Sequence, residues 1–327
     1  MSFVLDALSR IVPLALNTAG RQRLAILIYH RVVPAPDELR PGEPTVDEFD
    51  WQMRLLRDHF NPLSLAEGVQ RLREGSLPPR AVCVTFDDGY ADNERYAMTV
   101  LRRYGVPATV FVSTGFLNGG RMFNDTVIET VRTLDEPTLD LRDLELGVHS
   151  LATTQQRLAA IAEVLTAVRY MEPQERDARV AAIAALSRVP HEHLMMTDEQ
   201  VRNLARNQVT VGAHTVNHPM LASVAGEDAR REISDGKRYL ENLLQQDVDY
   251  FAYPNGKPST DYRLEHRDMV QALGFRAAVS THWGVGCGDS DPYQLPRFTP
   301  WDRRPMRFAL RLLLSYRRVD PLVSGGL

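Results

Sequence analysis

Short apolar runs rich in β-branched residues recur along this chain, and stretches with helical spacing separate most of them. The runs are residues 24–29, 81–86, 108–113, 208–213, 248–253 and 275–280. The helical patterns fall at 46–60, 64–74, 92–104, 228–245 and 261–273. Strand and helix in repeated alternation predict a parallel sheet with helices outside it, either a barrel or a doubly wound sheet.

The 327 residues suit one large domain or two small ones. With 44% apolar and 24% charged residues, disordered, collagen-like and disulfide-stapled classes are excluded. A net charge of −4 offers no chain-wide attraction to nucleic acid, so no nucleic-acid partner is expected. Cys83 and Cys287 form neither a disulfide framework nor a C-x-x-C pair. No apolar run approaches the ~20 residues of a membrane-spanning helix. Asp6 and Arg10 interrupt what would be the apolar core of a signal peptide, so a cytoplasmic protein is expected, in contact with membranes at most from the periphery.

Four segments are expected. Residues 1–20 carry an amphipathic helix with Phe3, Val4, Ala7, Leu8, Ile11 and Val12 on one side. Residues 21–300 form the strand-and-helix body, interrupted at 121–206 by a helical insertion in which no strand is evident. Within it Leu158, Ile161, Leu165 and Val168 make one helical face, and Val180, Ile183 and Leu186 another, with a boundary at Glu172-Pro173. Residues 301–327 hold a basic amphipathic helix and a tail, with Arg307, Arg311, Arg317 and Arg318 around Phe308, Leu310, Leu312, Leu313 and Leu314. Such a helix either closes the domain with its arginines solvated or lies on an anionic membrane surface.

Chemistry gathers at the strand ends. Val84-Thr85-Phe86-Asp87-Asp88-Gly89-Tyr90 places two adjacent carboxylates after an apolar strand, and Gly89 lets the backbone turn sharply. In a barrel of parallel strands, catalytic residues collect at that end. Neighbours on an extended chain point to opposite sides, so one carboxylate is available to a metal while the other faces the reactants. A plain turn is the competing reading. His214 and His218, in Gly212-Ala213-His214-Thr215-Val216-Asn217-His218-Pro219, are four residues apart, a spacing that on one helical turn sets both imidazoles on one side. With Asp88 they make a donor set that leaves coordination positions open for water and substrate. His191 and His193 lack a preceding strand. Phe251-Ala252-Tyr253-Pro254-Asn255-Gly256 runs from strand into turn, and Leu27-Ile28-Tyr29-His30-Arg31 delivers a histidine and an arginine to a strand end. Four strands thus bring polar residues to one end.

Thr85-Phe86-Asp87-Asp88-Gly89, His214-Thr215 followed by His218-Pro219, and Tyr253-Pro254-Asn255-Gly256, in this order, resemble the motifs of the polysaccharide deacetylases, the NodB-homology or carbohydrate esterase family 4 group. The resemblance covers roughly residues 24–300, apart from the insertion. It implies a distorted (β/α) barrel and one divalent metal ion, commonly zinc, used to remove acetyl groups from amino sugars. It also implies Asp87 as general base and Asp88, His214 and His218 as metal ligands. The family's third motif carries an arginine that holds the catalytic aspartate and a tyrosine near the turn, where this chain has Ala252 and Asn255. Its last motif, a strand ending in a histidine general acid, is missing after residue 285, where the chain reads Leu295-Pro296-Arg297-Phe298. A similar strand stands at the front, ending in His30, which is similar to the permuted motif order of deacetylases acting on poly-N-acetylglucosamine. On this reading His30 is the general acid, with His282 and His266 as rivals. Arg31 or Arg297 replaces the missing arginine, and Tyr253 and Asn255 support the substrate.

Amide hydrolysis needs an activated water, a stabilised oxyanion and a proton for the departing amine, and these residues supply each part. Backbone N–H groups in the turn after Tyr90 are candidate extra oxyanion donors. The expected activity is metal-dependent N-deacetylation of an acetylated amino-sugar glycan. The alternatives are a related metal hydrolase acting on another non-peptide C–N bond or an O-acetyl ester, or an inactive sugar-binding module. The insertion is expected to shape the cleft or dock a partner.

Overall fold

A computed structural model describes residues 22–187 and 193–317. The helix expected over 1–20, His191 and the tail from Arg318 lie outside the described residues. In chain order the elements are β1 (Arg23–Tyr29), α1 (Val46–His59), β2 (Asn61–Pro62), α2 (Leu65–Glu74), β3 (Ala81–Phe86), α3 (Met98–Tyr104) and β4 (Ala108–Val112). Next come α4 (Phe123–Thr133), β5 (Thr138–Asp140), β6 (Val148–Ser150), α5 (Thr154–Arg169), α6 (Pro173–Ala184) and α7 (Asp198–Arg206). The remainder is β7 (Thr210–Ala213), α8 (Gly226–Leu244), β8 (Tyr250–Ala252), α9 (Leu264–Ala272), β9 (Ala277–Trp283), β10 (Gly286–Cys287), β11 (Leu295–Arg297) and α10 (Pro305–Ser315).

The main sheet runs β10-β1-β3-β4-β7-β8-β9-β11, with β2 beside β3, and all its pairs are parallel except β1 with β10. It curls until its ends meet. Immediately after β11, Phe298 bridges Leu27 of β1: Ile28 N donates to Phe298 O at 3.1 Å and Phe298 N to Ile26 O at 2.8 Å. The fold is therefore the barrel, not the doubly wound sheet.

The strands β1, β3 and β4 are almost continuously apolar because both of their faces are buried. Along β1, Leu24 and Ile26 join Cys83, Phe111, Tyr250 and Val279 in one cluster, while Ala25, Leu27 and Tyr29 join Val84, Phe86 and the surrounding helices in another. In β3 the face that carries Ala81 and Cys83 continues into Thr85 and Asp87, so period-2 alternation takes the first face from an apolar floor to a polar mouth.

The helices start where the sequence offers caps. Thr45 and Glu48 form a reciprocal capping box at α1, as do Thr197 and Gln200 at α7. The basic helix α10 closes the outer layer: Phe308 meets Trp51 of α1 edge-on at 5.6 Å, and the Tyr316 hydroxyl donates to Ala81 O at 2.8 Å.

The insertion has its own core, built from Val127, Val131, Leu139, Leu151, Ile161, Val164 and Ile183. It is not wholly helical, since β5 and β6 pair antiparallel within it. Strands of three residues are too short to display a period. Glu172-Pro173 marks the boundary between α5 and α6, with Pro173 opening α6, whereas Leu186 lies beyond that helix and is exposed, unlike Val180 and Ile183. Helix α7 packs its Val201 and Leu204 into the barrel's outer cluster, so the insertion gives way to the barrel before α7.

Gly212 in β7 shows how tight the floor is. A Cβ there would run into the Phe111 ring and lie 2.9 Å from Tyr250 O. Gly212→Ala is expected to cost about 1–3 kcal/mol through overpacking, measured as a lowered urea midpoint with unchanged slope.

Candidate active site

The polar mouth of the barrel is a cleft of about 150 Å³ lined by residues that include His30, Asp87, Asp88, His214, His218, Asn255 and Thr281. They come from the C-terminal ends of β1, β3, β7, β8 and β9, the end where parallel barrels place their chemistry.

Asp87 points inward and meets Arg297. The Arg297 guanidinium donates from both terminal nitrogens to the two Asp87 oxygens, at 2.7 Å each, while its Nε donates to Ser280 O at 2.8 Å. Arg297 is fully enclosed, so the pair is a buried two-pronged ion pair. Burial by itself would raise the Asp87 pKa, but the charge and hydrogen bonds of Arg297, together with His214 and His30, outweigh it and hold the carboxyl below its ordinary range. Of the two arginines the sequence offered, the structure places Arg297 on Asp87. Arg31 goes elsewhere: its Nε donates to Asp92 at 2.7 Å and its guanidinium lies over the Tyr90 ring.

Asp88 takes the opposite direction because its backbone is left-handed, at φ 78°, followed by Gly89 at φ 90°. Its Oδ1 lies 3.4 Å from Nε2 of both His214 and His218, and one donor atom from each of the three residues lies within 4.8 Å of the others. His214 is oriented from behind, its Nδ1–H donating to Ala252 O at 2.7 Å, which leaves the Nε2 lone pair for the cluster. The histidines meet without a helical turn. Thr215 and His218 adopt left-handed backbones at φ 64° and 51°, and the Thr215 hydroxyl accepts from His218 N at 3.0 Å. Glu232 of α8 fastens the loop by accepting from Val216 N at 2.9 Å and Asn217 N at 2.7 Å.

Burial pushes the His218 pKa down to about 3, which keeps the imidazole neutral, and the nearby His214 and His30 hold Asp88 well below the carboxylate range against its own burial. Two imidazoles and one ionised carboxylate converging on one point fit a divalent cation.

His30 lies at the same mouth. Burial lowers its proton affinity, but Asp88, Glu43 and Asp87 outweigh that and raise its pKa above the ordinary imidazole value. Its rivals are placed differently. His266 is buried in α9, where its Nδ1 accepts from Arg263 N at 2.9 Å as a helix cap, and His282 is not part of the cleft lining. Asn255 lines the cleft, but Tyr253 does not: its ring stacks on Tyr262 at 3.8 Å and its hydroxyl donates to Tyr293 O at 3.0 Å. Two of the amides after Tyr90 are committed elsewhere, Ala91 N to Leu194 O and Asn93 N to Tyr90 O, so these two are not oxyanion donors. His193 stands near Gly119, apart from the Asp88 cluster.

Several residues of this mouth escaped the sequence reading. Met122, Phe123 and Asn124 at the start of α4, and Leu165 and Arg169 of α5, form one wall of the cleft. The insertion is tied to the carboxylate loop by the Tyr90 hydroxyl, which donates to Asp125 at 2.9 Å, and Arg40 donates to the other Asp125 oxygen at 2.8 Å. Helical spacing marks Leu165 as apolar but not which neighbour it faces.

Two expectations follow. Arg297→Met strands a buried carboxylate and should cost about 3–5 kcal/mol in urea unfolding, with part regained on adding Asp87→Asn, which removes the unpaired charge. His214→Ala with His218→Ala should abolish binding of a divalent cation measured by titration calorimetry, whereas Asp87→Asn should leave it intact.

The sequence matches the family model described as polysaccharide deacetylase over residues 74–278. It is 22% identical over 284 residues to YxkH of Bacillus subtilis (strain 168), a protein named for the same family, covering 86% of this chain and 73% of that one. A poly-beta-1,6-N-acetyl-D-glucosamine N-deacetylase of Staphylococcus epidermidis is 31% identical over 116 residues, which make up 35% of this chain and 40% of that enzyme. Among solved structures, the Streptococcus pyogenes deacetylase PplD in complex with acetate superposes with a TM-score of 0.60 at 20% identity, covering 90% of this chain and 99% of that one. IcaB from Ammonifex degensii gives 0.59 at 20% identity, covering 89% and 97%. These two share the fold. His30 and Arg297 both lie outside the matched span. With well over half its length matched by the family model and its strands closed into the corresponding barrel, the chain belongs to the polysaccharide deacetylase family.

Proposed function

We propose that the protein is a metal-dependent hydrolase that removes acetyl groups from the amino-sugar nitrogens of a polysaccharide, releasing acetate. The observation that carries this reading is the ionised Asp87, held by Arg297 beside three converging metal donors, in one cleft with His30. Poly-β-1,6-N-acetylglucosamine is the first glycan to test, because the Staphylococcus epidermidis relative is named for it.

A divalent cation, zinc by preference for two imidazoles and a carboxylate, supplies a Lewis acid for the acetyl carbonyl and acidifies water when held by Asp88, His214 and His218. Asp87 accepts the proton of the water that attacks the carbonyl carbon. Arg297 keeps that carboxylate ionised and fixes both of its oxygens. The C–N bond then breaks, and His30 gives its proton to the departing amine. Asp88, Glu43 and Asp87 raise the proton affinity of His30, and of these Glu43 lies outside the catalytic carboxylate pair. Asn255 and the wall formed by Asn124, Leu165 and Arg169 contact the sugar.

The test is acetate release from poly-β-1,6-N-acetylglucosamine oligomers and chito-oligosaccharides, which a chelator should abolish and added zinc restore. His30→Ala should lower acetamide turnover by about 10²–10⁴-fold, yet cost far less on an activated nitrophenyl acetate, whose leaving group needs no proton. Absence of acetate release from every acetamido sugar by protein loaded with metal would overturn the proposal. Selective loss in His282→Ala instead of His30→Ala would move the acid to the other histidine.

A further inference from the structure

Helix α10 has two usable faces. Phe308, Ala309, Leu312, Leu313 and Tyr316 are buried against the barrel's outer layer. The opposite face exposes Leu310 and Leu314, each 43% accessible, and Trp301 just before the helix is 62% accessible. On an α-helix, residues three and four apart are neighbours. Leu310 and Leu314 therefore adjoin each other, with Arg307 and Arg311 beside them and Arg317 at the far end. From 303 to 317 the sequence contains no acidic residue. Arg303 pairs with Glu48 and Arg311 with Asp302, but Arg304, Arg307 and Arg317 have no carboxylate partner among the described residues.

We infer that this exposed face of α10 is a docking surface for an anionic lipid bilayer. Leucines flanked by arginines suit a helix lying in the interfacial plane, with the apolar side chains among the acyl chains and the guanidinium groups at the phosphates. Tryptophan favours the same boundary. A helix of 11 residues spans roughly 16 Å along such a plane, so it lies on the bilayer and does not cross it. Charge complementarity selects the occupant. A second copy docked through the same face by two-fold symmetry would bring the arginines of the two helices together, whereas an anionic surface neutralises them. The inference is independent of the catalytic reading, since none of these residues lines the cleft.

The experiment is co-sedimentation of the full chain with vesicles of phosphatidylcholine alone and of phosphatidylcholine with an equal part of phosphatidylglycerol, at low and high salt. Binding to the anionic vesicles only, weakened by salt, is expected. Arg304→Ser, Arg307→Ser and Arg317→Ser together should lower partitioning by roughly 100-fold. Leu310→Ser with Leu314→Ser should lower it as well. Both variants should retain the wild-type thermal melt and the wild-type rate of acetate release from a soluble oligomer. Equal binding to both kinds of vesicle, no binding, or binding unchanged in the variants would overturn the inference. So would a dimer in light scattering that the leucine variant dissociates, because that assigns the face to a second copy.

Discussion

The buried pair between Arg297 and Asp87 is the constraint around which this molecule is arranged. Two opposite charges enclosed at hydrogen-bond distance attract by several kcal/mol, and taking each out of water costs several kcal/mol in turn. The balance holds only because the geometry is complete, with both Asp87 oxygens engaged and the third guanidinium nitrogen satisfied by Ser280 O. That completeness depends on the barrel being shut. Arg297 and Phe298 are successive residues, one reaching inward to the carboxylate and the other hydrogen-bonding across to β1. Closing the sheet and preparing the candidate base are one structural event.

Left-handed backbone at residues other than glycine is uncommon, and for a β-branched residue it is strained. Here it recurs around the cleft, at Asp88, Thr215, His218 and Asn255. Each of these residues must leave its strand direction abruptly so that its own or a neighbouring side chain can point into the cleft. The stabilising contacts sit behind it: the Ser113 amide on the Asp88 carbonyl, the Thr215 hydroxyl on the His218 amide, Glu232 beneath the loop. The conformations persist because ordinary hydrogen bonds over-determine them.

Much of this was legible in the sequence, for definite reasons. Six barrel strands announced themselves because each lies within a continuous apolar run, even β8, which is itself three residues long. Asp87, Asp88, His214 and His218 stood at the ends of such runs. The strands β2, β5, β6, β10 and β11 did not show, because each is two or three residues long with no continuous apolar run around it, and Pro296 lies inside β11. The choice between Arg31 and Arg297 was illegible in principle, since it depends on which strand lies beside β1 after the sheet closes. The histidine pair was found through a spacing argument whose geometry was wrong: a loop bent at Thr215, not a helical turn, brings the rings to 4.8 Å between centroids. Tyr253 was drawn toward the site by its place in a motif, yet its hydroxyl is spent on Tyr293 O.

The seam between β1 and β11 separates order along the chain from order in space. His30 comes from the first strand and Arg297 from the last, and the strands that carry them are neighbours. The same constellation can therefore be spelled from two starting points, with the histidine strand leading or trailing, without any side chain changing its place. For a ribosome the two spellings differ. In this one every candidate metal donor has emerged while the last strand is still unmade, and until it docks Asp87 stays an ordinary hydrated carboxylate. A partly made chain of this order has the donors for a cation before it has the arginine that fixes its carboxylate base.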